Sequence, residues 1–219
     1  MENTLGPFSL RLIPPACVCL LAMAVLYLAY QKVKFSPVKN KKRELALKGG
    51  ATLSAALLAG YGWLIGPSGG KLFLFLGLMV CTAADVILDL HFLPGTACFA
   101  LGHICYSAAC LLTNKPGVPS LILFLALTLA AALLYPGLKK MSGKKSALPY
   151  LGYALVLSAM LALALPQKPV LFIGAALFML SDGMLLYSII FRGQSRAYDY
   201  LCLGCYYLAQ FLIAFSALA

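Results

Sequence analysis

Asp85 and Asp182 are the residues of this chain whose type and setting best suit proton transfer. Asp85 stands in "CTAADVILDL", behind the uncharged run "LFLFLGLMV", and Asp182 stands in "LFIGAALFMLSDGMLLY". A carboxylate at the centre of a bilayer-spanning helix costs about 2.5–3.5 kcal/mol on insertion scales, so an acid retained there is expected to mark a site. Two carboxyl groups held close in a medium of low dielectric do not both ionise. One then stays a neutral acid able to give a proton, while the other, as a carboxylate, stabilises a cation or activates water. His103, Ser181, Tyr206, Tyr207 and Gln210 offer hydrogen-bonding groups for orienting such a site, and Asp89 lies one helical turn beyond Asp85. For each polar group taken singly, the alternative is hydrogen bonding that only fixes helix packing. Asp89 reads either as an aid to the site or as a solvated acid near the interface, with solvation preferred. Glu2, Glu44, Asp199 and His91 are expected to be solvated.

Other chemistries lack their residues. Rhomboid-like proteolysis needs a G-x-S-x-G-type serine with a histidine. Intramembrane aspartyl proteolysis needs G-x-G-D, where this chain has "TAAD" and "LSDG". Only two His are present, and a zinc site takes three or four protein ligands, so no metal and no cofactor is expected. Cys202-x-x-Cys205 lies in an apolar stretch without a βαβ pattern and reads as small filler rather than a redox pair.

The elements that must position these residues are membrane helices. Hydrophobic residues make up 63% of the chain and charged residues 11%, with mean hydropathy +0.94; a soluble domain carries about twice that charged fraction. Apolar runs of about twenty residues match a hydrocarbon core about 30 Å thick. Eight are present, over residues 11–30, 46–66, 71–90, 95–113, 119–135, 147–165, 169–190 and 199–218. The predicted fold class is therefore an all-α membrane protein, a bundle of eight transmembrane helices in one membrane-embedded domain over 1–219. "GPSGG", "LPG", "NKPGVP", "YPG" and "PQKP" read as turns between spans, and 31–45 as the one longer polar connection. The first run lacks a basic n-region and a small-residue cleavage site, so it is expected to remain as the first span.

The charge of +11 does not describe a nucleic-acid surface, and no nucleic-acid partner is expected. Thirteen of the 17 Lys and Arg fall in the first, fifth and seventh connections: Lys32, Lys34, Lys39, Lys41, Lys42, Arg43, Lys48, Lys139, Lys140, Lys144, Lys145, Arg192 and Arg196. Arg11, Lys71, Lys115 and Lys168 fall on the other side. The positive-inside rule then puts both termini outside and the odd-numbered connections in the cytoplasm. At about 1.5 Å per residue, Asp85 and Asp182 lie roughly 7–12 Å from the cytoplasmic ends of their spans. His103, Tyr206, Tyr207 and Gln210 enter at similar depth from the outward-running spans, which predicts a polar cavity in the cytoplasmic half.

Spans three and seven also share a pattern. In both, L-F-[L/I]-G is followed by an Asp eight residues after the Gly, Gly77 to Asp85 and Gly174 to Asp182, and the next spans share Leu101-Gly102 and Leu203-Gly204. Four intervening spans make the copies point the same way, as in a parallel duplication of halves 1–114 and 115–219. Chance similarity between apolar helices is the alternative.

"AADVILDL" (83–90), "FALGHICYSAA" (99–109), "ALFMLSDGMLL" (176–186) and "YYLAQFLI" (206–213) resemble the lysoplasmalogenase (YhhN-like) family, in order and spacing, from about residue 50 onward. Members usually read G-D where this chain has Ala84-Asp85, a small-for-small change that keeps the acid. The resemblance implies an eight-span membrane enzyme that hydrolyses the vinyl ether of lysoplasmalogens to a fatty aldehyde and a glycerophospho-ethanolamine or -choline. It implies Asp85 and Asp182 as catalytic residues, with no assignment of which is the acid. His103, Ser181, Tyr206, Tyr207, Gln210 and Asp89 would orient water or bind the substrate. A lysophospholipid substrate and membrane lipids are the implied partners, and a homo-oligomer is allowed. The expected location is the bacterial cytoplasmic membrane, or the endoplasmic-reticulum membrane in a eukaryote. A small-molecule or lipid transporter with intramembrane acids is the rival from another class, and a non-catalytic lipid-binding scaffold is the third reading. Both rivals predict that lysoplasmalogen stays intact.

Overall fold

A computed structural model describes residues 7–142, 144–191 and 195–218 of the chain. They form eight α-helices: α1 (Pro7–Lys34), α2 (Lys41–Ile65), α3 (Gly69–Leu90), α4 (Phe92–Thr113), α5 (Val118–Ser142), α6 (Lys144–Ala164), α7 (Pro169–Ile190) and α8 (Arg196–Ser216). No strand occurs among the described residues. Six helices, α1, α3, α4, α5, α7 and α8, are long and apolar enough to cross a membrane. The apolar part of α6 is shorter, Leu148–Ala164, and α2 begins with the charged run Lys41-Lys42-Arg43-Glu44.

Several boundaries differ from those read off the apolar runs. The polar segment 31–45 is mostly helical, because Asn40 caps α2 by accepting from the Arg43 amide, 3.1 Å away. Such a cap satisfies an amide that has no partner inside the helix. The basic residues from Lys41 to Lys48 therefore ride on a helix end, where they can reach into the bundle. "LPG" falls in the first turns of α4, where Pro94 costs little, and His91 alone joins α3 to α4. "YPG" also lies within a helix, since α5 continues past Pro136. Arg192, used above in the charge count, lies outside the described residues.

Lipid tails are as apolar as leucine, so helices in a membrane associate by close packing, which small side chains permit. Thr52, Ala55, Ala56 and Ala59 are buried along α2, and α2 touches α1, α3 and α8. Gly77 and Gly102 sit at the crossing of α3 and α4. A Cβ at Gly102 would stand 2.6 Å from Cys81 Sγ, and one at Gly77 would strike the Tyr106 ring. The crossing of α7 and α8 is built in the same way, with a Cβ at Gly174 meeting Ile213 Cγ1 at 3.0 Å.

Within each half, successive helices pack on one another: α1–α2–α3–α4 and α5–α6–α7–α8. The halves meet where α4 packs on α6 and where α8 packs on α2, two contacts that exchange under a swap of the halves. Contacts of α8 with α1 and α3 add to this frame. They draw the end of α1, the start of α2, the end of α3 and the start of α8 around one cavity.

Candidate active site

The cavity has a volume of about 520 Å³. Lys34, Lys48, Asp85, Asp89, Asp182 and Asp199 contribute its charged groups, while Leu127, Ala130, Ala131 and Leu134 of α5 and Leu185 and Leu186 of α7 are among its apolar walls. Of the residues singled out from the sequence, Asp85, Asp89, Ser181, Asp182 and Tyr206 line it; His103, Tyr207 and Gln210 do not, and stand behind the lining.

Asp85 is 1% exposed. Its Oδ2 accepts hydrogen bonds from Thr52 Oγ1 on α2 and from Tyr206 OH on α8, the latter at 2.8 Å. Lys48 Nζ lies 4.0 Å from Oδ1. Gln210 Nε2 donates to Tyr206 OH at 3.0 Å, and Tyr106 OH donates to Gln210 Oε1 at 2.9 Å. The Tyr206 hydroxyl is thereby aimed at Asp85, where both donors reach the one oxygen Oδ2.

Asp182 has a different set. Tyr153 OH, from α6, donates to Asp182 Oδ2, and His103 Nε2, from α4, lies 2.9 Å from the same hydroxyl and 3.8 Å from Oδ2. A hydroxyl both donates and accepts. The bonds along His103–Tyr153–Asp182 can therefore reverse together once the ring takes up a proton at Nδ1: Nε2–H passes its proton through Tyr153 to an ionised Asp182, after which Asp182 donates to Tyr153 and Tyr153 to Nε2. His103 is fully buried, and its Nδ1 has no hydrogen-bond partner among the described residues. With Nε2–H donating to Tyr153, that atom is an unpaired acceptor and not an unpaired buried charge, which would cost far more.

Edge-on aromatic rings stand between the two sets. Phe178, one turn before Asp182, packs against His103 (centroids 4.5 Å apart) and Tyr206 (5.3 Å), and Phe99 packs against Tyr206 (5.9 Å). No hydrogen bond joins the two carboxyl groups among the described residues. They meet as lining of one cavity.

The outer groups correct three expectations. Asp89 is not simply wet: Lys48 Nζ donates to its Oδ1 at 2.7 Å and Lys41 Nζ to its Oδ2 at 3.2 Å. Glu44 is buried, at 8% exposure, with Lys41 Nζ 3.6 Å away. Asp199 is half-buried and paired with Lys34 across 3.2 Å. The physical reason is common to all three: a low-dielectric rim favours paired charges over single ones. Ser181 Oγ donates to the Cys202 carbonyl at 3.0 Å, tying α7 to α8, and Tyr207 OH donates to the Lys48 carbonyl at 3.3 Å. His91 is exposed, as expected.

Lys48, Thr52, Tyr106 and Tyr153 were not legible as site residues. Lys48 carried one signal, a cation just inside a predicted span that must find a counter-ion. Thr52 and Tyr153 carried none, because lone hydroxyls are common in apolar helices.

The family model described as "YhhN family" matches residues 49–217. "Lysoplasmalogenase TMEM86B" of Homo sapiens is 36% identical over 175 residues, which cover 76% of this chain and 73% of that protein. The protein of the same name from Mus musculus is 34% identical over 160 residues, covering 71% and 68%, and that from Rattus norvegicus is 32% identical over 160 residues, covering 71% and 66%. No solved structure matches the chain.

Proposed function

The chain belongs to the YhhN family, and from that premise we propose that it is a lysoplasmalogenase-like hydrolase, cleaving the vinyl ether of a lysoplasmalogen to a fatty aldehyde and a glycerophospho-ethanolamine or -choline. The relatives named lysoplasmalogenase support the activity. The observation that carries the site assignment is a single cavity lined by both Asp85 and Asp182 and walled by apolar side chains of α5 and α7. A lysophospholipid brings one chain for the apolar wall and one polar end for the charged groups.

A vinyl ether is hydrolysed by protonation of its β-carbon, which leaves an oxocarbenium ion on the carbon attached to oxygen. Water adds to that carbon and loses a proton, and the hemiacetal breaks its C–O bond to give the aldehyde and the glycerol hydroxyl. The requirements resemble glycoside hydrolysis, with one carboxylic acid and one carboxylate. We assign the acid to Asp182: the proton it gives to the β-carbon is replaced through Tyr153 by Nε2–H of His103 as the ring takes one up at Nδ1, and the proton that Asp85 takes from water is released in its place, so none is gained or lost over the cycle. We assign the carboxylate to Asp85, held by Thr52 and Tyr206 to face the cation and take the proton of the attacking water. The matching positions of Asp85 on α3 and Asp182 on α7, each eight residues after a Gly, with the exchangeable packing of the halves, support duplication of 1–114 and 115–219.

Purified protein in detergent should release aldehyde from lysoplasmalogen, measured by coupled reduction of the aldehyde. A protein that binds or moves the lipid but leaves the vinyl ether intact would be a carrier or scaffold, and the hydrolase reading would be lost.

The cavity lies towards the basic ends of the bundle: Lys34 ends α1, Lys48 is near the start of α2, and Asp199 is near the start of α8. With the positive-inside rule, this supports a site in the cytoplasmic half and termini outside. In a protein stripped of native cysteines, Lys42→Cys should react with an impermeant maleimide only from the cytoplasmic side and Lys168→Cys only from the other. The reverse labelling would invert the orientation.

A further inference from the structure

The mouth of the cavity carries charges that the hydrolysis does not use. Lys34 Nζ pairs with Asp199 Oδ2 at 3.2 Å, joining the end of α1 to the start of α8, and both side chains are 35% exposed. Deeper in, Lys48 Nζ pairs with Asp89 Oδ1 at 2.7 Å, and these side chains are only 7% and 18% exposed. All four residues line the cavity, two cations and two anions.

We propose that Lys34 and Asp199 form the head-group subsite of this cavity and take a zwitterionic phosphoethanolamine or phosphocholine, the phosphate on Lys34 and the ammonium on Asp199. This assignment rests on the lysoplasmalogenase reading. A partly exposed pair of single charges gains little from its own contact, so exchanging each partner for an opposite charge on a ligand costs little. The inner pair is bound more tightly. Lys48 sits 4.0 Å from Asp85 as well as 2.7 Å from Asp89, and Lys41 holds the other oxygen of Asp89 at 3.2 Å. That set has no free charge to offer and serves to hold the outer end of the Asp85 site.

The layout also suits the ligand. From Asp85 to Asp89 the helix rises about 6 Å, four residues at about 1.5 Å each, which is close to the length of the glycerol unit between a vinyl ether and its phosphate. A substrate whose ether lies at Asp85 therefore spans to the level of Asp89 with its glycerol, and its phosphate and ammonium extend from there towards the mouth. Lys34 is further held over the rings of Phe35, at 5.5 Å, and Tyr30, at 6.0 Å. Contact with the faces of two rings places its ammonium without consuming its hydrogen bonds.

The test uses Lys34→Gln, Asp199→Asn and the double variant, with 1-O-alkyl lysophosphatidylethanolamine as the probe. Its saturated ether has no vinyl carbon to protonate, so binding is read without turnover, by calorimetry in detergent. Each single variant should bind the probe about tenfold more weakly, while 1-O-alkylglycerol, which lacks the head group, should bind all forms alike. In assays with lysoplasmalogen the loss should appear as a tenfold rise in KM with kcat changed by less than about twofold. Unchanged probe binding in both single variants would overturn the subsite. An equal loss of alkylglycerol binding would also overturn it, by marking a general defect of the cavity. If wild-type protein binds the probe in this head-group-dependent way but releases no aldehyde, the hydrolase reading fails while the zwitterion site stands.

Discussion

Asp85→Asn and Asp182→Asn should each lower the kcat for aldehyde release by ~10²–10⁴-fold, the range that general acid–base catalysis supplies. Asn has nearly the shape of Asp but cannot give or take the proton. At position 182 the β-carbon of the vinyl ether loses its acid. At position 85 the oxocarbenium ion loses its facing negative charge, a term worth several kcal/mol where it is pre-organised. The double variant should fall little below the worse single one, because residues serving one reaction path are not additive in rate. Folding should survive. Thr52 and Tyr206 can still donate to an amide oxygen at position 85, and Lys48 keeps Asp89 at 2.7 Å, so Tm in detergent should move by only a few degrees. Measuring kcat and Tm together separates the site from packing. Two carboxyls acting only as glue would give a lower Tm with activity kept, and full activity in either single variant would sink the mechanism.

Tyr153→Phe is the second large effect. Its hydroxyl is the link between His103 Nε2 at 2.9 Å and Asp182 Oδ2, and without it the imidazole and carboxyl stand 3.8 Å apart. An acid that cannot be reprotonated fires slowly after its first turnover. We expect kcat to fall about 10- to 100-fold, less than the ~10²–10⁴-fold lost with the acid itself, and a single turnover should be affected less than the steady state. Loss of one hydrogen bond should cost roughly 1 kcal/mol of stability. Tyr207→Phe is the comparison, since Tyr207 does not line the cavity and its hydroxyl donates to a backbone carbonyl, that of Lys48, and it should stay within about threefold of wild type. Equal kcat for Tyr153→Phe and wild type in steady state would remove His103 and Tyr153 from the reaction.

Much of this protein is written along one dimension. Eight helices and the membrane setting follow from apolar run length, because a bilayer tests segments almost independently for hydrophobicity. Asp85 and Asp182 are legible for the same reason: an acid inside such a run is an anomaly visible without knowing any neighbour. The lengths of α1 and α2 were less visible, because a charged helical end such as Lys41–Lys48 has the composition of a loop. Only its cap and its ion pairs make it a helix that reaches inward.

The pairing of the side chains was decided by tertiary structure alone. Thr52 meets Asp85 across 33 positions, Tyr206 meets it across 121, and Tyr153 meets Asp182 across 29. Which hydroxyl faces which acid depends on the rotation of each helix about its axis and on which helices touch. Those are set by small residues such as Gly77, Gly102 and the alanines of α2, whose importance lies in how closely they let a neighbour approach. A threonine or tyrosine in an apolar run looks the same whether it faces lipid or a carboxylate. Its role exists only once the packed bundle has brought the acid within reach and removed the water that would otherwise satisfy both.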